Sequence, residues 1–83
     1  MVGIEIHVLH VVTEEDLDRL EIGGTIEFNE KHAEKYTLYT VDYTKPLDET
    51  KCIISTAGLD FIINESYESI NARLRDRIIH LLN

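Results

Sequence analysis

The chain has one cysteine, one proline, one methionine and no tryptophan among its 83 residues. A lone Cys52 closes no intrachain disulfide, which excludes a small secreted scaffold held by such bridges. Apolar runs are far shorter than the roughly 20 residues of a membrane-spanning helix, so no membrane partner is expected. The opening Met1-Val2-Gly3-Ile4-Glu5 has no basic stretch and does not read as a signal peptide. A reduced, cytoplasmic protein is the expectation. Bases are scarce as well: eight Lys and Arg stand against sixteen Asp and Glu, a net charge of −8. Neutralising nucleic-acid phosphates takes clustered Lys and Arg, so direct nucleic-acid binding is not expected.

What is present suits a single small globular domain spanning 1–83, with 43% hydrophobic residues. A domain this small buries only about 60% of the surface its unfolded chain exposes. A partner subunit would add to that, and a homodimer is expected. The charge is unevenly spread. Residues 1–30 contain eight acids (Glu5, Glu14, Glu15, Asp16, Asp18, Glu21, Glu27, Glu30) and one base, Arg19. Over residues 31–83 the two signs nearly balance. An acidic face follows, open to two readings: plain solubility, or electrostatic docking of a basic partner.

Periodicity places the elements. Residues 4–12 alternate and are rich in β-branched side chains, which predicts a strand with Ile4, Ile6 and Val8 on one face and Glu5, His7, Leu9 and Val11 on the other. Thr13 followed by Glu-Glu-Asp is an N-cap with acids in the first turn, and Gly23 is a stop, predicting a helix over 14–21. Residues 24–29 alternate again and 35–44 are dense in Tyr, Thr and Val; both read as strands. Residues 45–50, with Pro46, read as a loop. Residues 51–56 and 59–64 form a hairpin about Ala57-Gly58. Ser66 caps a last helix whose stripe is Ile70, Leu74, Ile78 and Leu81, widened by Ile79 and Leu82. That extra width suits either a broad sheet or a dimer seam at Ile79 and Leu82. The order β-α-β-β-β-β-α gives an α+β fold: a small, mainly antiparallel sheet with a short N-terminal helix and a C-terminal amphipathic helix.

Residues 51–74, a strand, a Gly-containing turn, a strand ending in Glu65-Ser66 and an amphipathic helix, resemble the C-terminal part of the FlbD-like flagellar motility proteins. Ile26-Glu27-Phe28-Asn29 is similar to that family's earlier strand ending in Asn. Residues 1–22 have no counterpart, and Ser69 stands where an acid is common. The resemblance implies a non-enzymatic accessory module with no catalytic residues to carry over.

Chemistry-bearing groups are few. His7 and His10, three apart on a strand, should point to opposite faces and share no metal. Cys52, within a strand and without a CxxC partner, reads as a buried hydrophobe. Gly23-Gly24 lacks the lysine and further glycines of a phosphate loop. The acids of 14–18 lack the ligand spacing of a calcium loop. Tyr36, Tyr39, Tyr43 and Tyr67 suit core and cross-strand packing, with Tyr39 and Tyr43 on one strand face. Arg73, Arg75 and Arg77 form a short basic stretch that either pairs with acids or is simply solvated. No catalytic residue, metal or cofactor is expected.

The acidic segment holds the most functional content. On a helix Glu14 and Asp18 share a face, as do Asp18 and Glu21, and four residues rise about 6 Å. Extended by Glu27, Glu30 and Glu34, such a row imitates a line of phosphates. In size and charge the chain resembles the phage-encoded acidic DNA mimics as a class. The leading expectation is a non-enzymatic inhibitor that places Glu14, Glu15, Asp18, Glu21, Glu27 and Glu30 on the DNA-binding surface of a basic DNA-binding protein. The alternative is an FlbD-like adaptor that binds through the apolar helix face or a sheet edge.

Overall fold

A computed structural model describes residues 3–82, with the side chains of the last helix through residue 76. The elements are β1 (Ile4–Val12), α1 (Glu14–Glu21), β2 (Glu34–Leu38), β3 (Tyr43–Pro46), β4 (Cys52–Thr56), β5 (Leu59–Ile63) and α2 (Tyr67–Leu82). The five strands form one antiparallel sheet in the order β2-β1-β5-β4-β3. The fold class is therefore the α+β arrangement expected, and β1, α1 and the β4–β5 hairpin lie where the periodicity puts them.

The sheet is strongly coiled, as its connections require. Leu38 pairs with Ile4 at one corner, and Tyr43 pairs with Ser55, on the Asp60–Val12 row, at the opposite corner. On a flat sheet those corners would lie about 30 Å apart, from strand spacings near 4.8 Å and a rise near 3.3 Å per residue. The chain from Leu38 to Tyr43 reaches at most about 18 Å even when extended. Coiling closes the difference, and Asp42 N–H to Ser55 O (2.8 Å) and Thr56 Oγ1 to Thr40 O (2.6 Å) fasten the crossing.

Each face has its own core. Ile4, Ile6, Val8, Cys52, Ile54 and Ile63 pack against Ile70 of α2, with Leu38, Val41 and Leu74 around them. On the other face Leu9, Val12, Ile26, Ile53 and Ile62 pack with Leu17 and Leu20 of α1, Phe28 and Leu47. Burial on both faces explains why β4 is buried along its whole length and carries consecutive apolar residues rather than clean alternation.

Four expectations are corrected. Residues 24–29 are not a strand: Ile26 is buried and Phe28 half-buried as an irregular cover over the second core. One-sided burial produces an alternation of period two without any ladder. Residues 35–44 are not one strand but β2 and β3, at opposite edges of the sheet, because the Tyr/Thr/Val run hides the break at 39–42. Residues 45–50 are not wholly loop: β3 continues through Pro46, tolerated where an edge strand needs no N–H donor. Finally, β1 carries a bulge between Val8 and His10. Val11 therefore faces away from Leu9 and pairs with Phe61, while His10 and Val12 join Leu9. His10 thus shares its side of the sheet with His7, contrary to the simple alternation.

At α2 the Ser66 hydroxyl accepts the Ser69 N–H (3.2 Å), and the Ser69 hydroxyl donates to Glu65 (2.7 Å). Arg73 pairs with Glu65 and donates to the Glu5 carbonyl (2.6 Å), which locks the helix across the sheet. Arg75 Nε donates to Asn71 O (3.4 Å). The side chains of Arg77, Ile78, Ile79, Leu81 and Leu82, with the dimer seam assigned to Ile79 and Leu82, lie outside the described residues.

Candidate partner-binding surface

The acidic segment is built outward from one junction. Thr13, in extended conformation (φ −95°, ψ 169°), caps α1. Its hydroxyl accepts the Asp16 N–H (3.3 Å), and the Asp16 carboxylate accepts the Thr13 N–H (3.0 Å), a reciprocal capping box. The same Asp16 oxygen lies 2.9 Å from His10 Nε2 on β1. The Thr13 backbone bond, followed by the His10 contact, holds the Asp16 carboxyl down from its ordinary 3.8 to about 2. Asp16 is thus a structural acid, buried in the junction and withdrawn from the exposed row.

The remaining acids sort by what they do locally. Glu14 and Glu15 occupy the first turn of α1, where carboxylates favour the helix dipole. Helix stability alone accounts for their presence. Asp18 and Glu21 have no such explanation, and Glu21 sits on the last residue of the helix, where the dipole prefers a cation. Glu27 is exposed between Ile26 and Phe28. Among the described residues Glu14, Glu15, Asp18, Glu21 and Glu27 make no side-chain hydrogen bond or ion pair. Glu30 does: it lies 3.1 Å from Lys51 Nζ, which also approaches Asp48 (3.8 Å). Glu34 accepts the Tyr36 hydroxyl (2.8 Å), and Glu5 lies 3.4 Å from Lys35. Of the row Glu14 to Glu34 drawn from the sequence, the unpaired stretch is therefore Glu14, Glu15, Asp18, Glu21 and Glu27.

The other chemistry-bearing residues take structural roles. Cys52 is fully buried, and burial, with the nearby Glu65 charge second, pushes its thiol up to about 11. The thiolate that a nucleophile needs is therefore disfavoured at neutral pH. His10 is half-buried, between Asp16 and the Phe28 ring, whose centroid is 6.4 Å away. The tyrosines are not core residues: Tyr36, Tyr39, Tyr43 and Tyr67 are all exposed. Tyr39 lies in the crossing rather than on a strand face with Tyr43. Tyr36 stacks on Phe61 (6.3 Å, 21°), and Tyr43 donates to Asp60 (3.2 Å) beneath the Lys45 ammonium. Both contacts reach over an intervening strand, β1 for Tyr36 and β4 for Tyr43, and only that of Tyr36 is ring packing.

Sequence reasoning missed two features. One is the second role of Asp16, signalled by the Thr13-x-x-Asp16 spacing. The other is the apolar cleft beside Leu20, which needs the 24–28 and 47–48 segments brought together in space. No helix among the described residues is long and apolar enough to cross a membrane. Set against protein-family models, curated proteins and solved structures, the chain matches none.

Proposed function

We propose that this chain is a non-enzymatic acidic binding protein that acts as a DNA mimic, occupying the DNA-binding surface of a basic DNA-binding protein and so inhibiting it. The observation carrying this reading is the placement of Asp18, Glu21 and Glu27. All three are exposed and without a pairing cation among the described residues, and none serves the helix N-terminus. The cations that pair elsewhere, Lys35, Lys51 and Arg73, are used on Glu5, Glu30, Asp48 and Glu65. Unpaired carboxylates spaced along one short helix and the segment after it present fixed negative charge to a basic surface. Glu14 and Glu15 extend the same charge, while Glu30 contributes less because Lys51 offsets it.

The test is capture from a bacterial lysate on the immobilised chain, followed by elution with duplex DNA. A basic DNA-binding protein released by DNA, and not retained by an Asp18→Asn, Glu21→Gln, Glu27→Gln variant, is the expected result. Partners that resist DNA and high salt and bind the variant equally contradict it.

A second reading, an adaptor that binds through a sheet edge, is favoured by one observation. Val11 (48%), Tyr36 (45%) and Leu59 (52%) are exposed around Phe61 at one end of the sheet, and β2 is an uncovered edge strand. The resemblance of 51–74 to the FlbD-like proteins belongs with this reading. Charge neutralisation would then leave binding intact, and Val11→Lys would remove it.

A further inference from the structure

Beside the acids lies a cleft of about 350 Å³ between the last turn of α1, the 24–28 segment and the loop after β3. Its apolar walls are Leu20, Ile26, Phe28 and Leu47, and its size is at the low end for a bound group, enough for one or two side chains rather than a large cofactor. The chain turn that forms it is tight. Gly23 has φ +83°, and Gly24 donates to Arg19 O (2.7 Å) so closely that a Cβ there would meet that oxygen at 3.0 Å. Ile22, next to this turn, is 85% exposed.

The charges around the cleft have one sign in excess. Glu21 and Glu27 do not line the cleft but are chain neighbours of its wall residues Leu20, Ile26 and Phe28, Asp48 is itself in the wall, and Arg19, whose backbone abuts Gly24, is the one cation of the same helix turn. Lys51 is committed to Glu30 and Asp48. An apolar notch beside uncompensated carboxylates complements an apolar side chain flanked by Lys and Arg. It repels nucleic acid and anionic lipid.

We infer that this cleft receives an aliphatic or aromatic anchor residue from a lysine- and arginine-rich segment of the protein partner, with Glu21 and Glu27 engaging the flanking cations. The inference rests on the acidic-docking reading and deepens it. Charge alone would admit any polycation, whereas a buried anchor selects among basic surfaces.

Two labelled peptides test it on the intact chain: a short lysine/arginine peptide with phenylalanine at its centre, and the same peptide with serine there. The phenylalanine peptide should bind about tenfold more tightly or better, the expected effect of burying an aromatic side chain. Thr25→Trp, which fills the cleft from its wall, should erase that preference and leave the serine peptide's affinity unchanged. Equal binding of the two peptides by the unaltered chain, with loss of both on Glu21→Gln/Glu27→Gln, overturns the anchor and leaves the acidic surface standing. Failure to bind either peptide, or binding that ignores the Gln substitutions, overturns both.

Discussion

His10 on β1 and Asp16 in the first turn of α1 meet at 2.9 Å, and through that contact the acidic helix is tied to the sheet. The same carboxylate closes the capping box with Thr13. Because the Asp16 carboxyl titrates near 2 in the folded chain instead of at its ordinary 3.8, its stabilising effect is complete above the ordinary value and is lost as pH falls towards 2. Asp48, held below its ordinary value chiefly by the Thr50 N–H, acts in the same direction. Urea midpoints measured down through the acid limb should fall steeply for the native sequence. For Asp16→Asn the fall should be shallower, from a lower starting stability at neutral pH.

The cap can be tested without changing charge. Thr13→Ala removes the hydroxyl that accepts the Asp16 N–H and should cost about 1 kcal/mol in chemical denaturation.

Ala57 is the one described non-glycine residue at positive φ (50°), followed by Gly58 at 80°. This is the two-residue hairpin turn that favours Asn-Gly over Ala-Gly. Ala57→Asn should raise stability by about 0.5–1 kcal/mol, because alanine pays a steric penalty in the left-handed region that asparagine tolerates better. Unchanged or lower thermal stability would contradict the turn assignment.

Ile70 is the fully buried residue by which α2 closes the first core, against Ile6, Cys52, Ile54 and Ile63. Ile70→Val should cost about 0.5–1.5 kcal/mol and Ile70→Ala about 2–5 kcal/mol. In the same core Cys52 should resist alkylation in the folded protein at neutral pH and react fully in denaturant, as a mass-spectrometric labelling series would record.

Much of this fold is legible in the chain because local signals agree with it. Thr13 and Gly23 bracket α1, Ala57-Gly58 separates two apolar runs, and Ser66 starts α2. What is not legible depends on contacts distant in sequence. The alternation of Ile26 and Phe28 arises from lying on a sheet, and it has the same period as lying in one. The 39–42 break has no proline or glycine to mark it, since it is imposed by the Thr40–Thr56 and Asp42–Ser55 bonds. The bulge that turns His10 to the other side is a property of pairing with β5. For the candidate surface, the run of acids is visible in sequence, but the sorting of Asp16, Glu30 and Glu34 into internal pairs is not. Each partner, His10, Lys51 or Tyr36, is fixed only once the chain is folded.

The most direct test of the acidic surface compares stability and binding at Glu21. A carboxylate on the last residue of α1 opposes the helix dipole, so Glu21→Lys should raise stability by about 0.3–1 kcal/mol at low salt. In the same preparation, affinity for the DNA-eluted basic partner should drop, and its dependence on ionic strength should weaken. A more stable protein that binds less well is the outcome expected of a charge retained for docking. A variant that binds the partner as tightly as the native chain at every salt concentration would contradict the DNA-mimic reading.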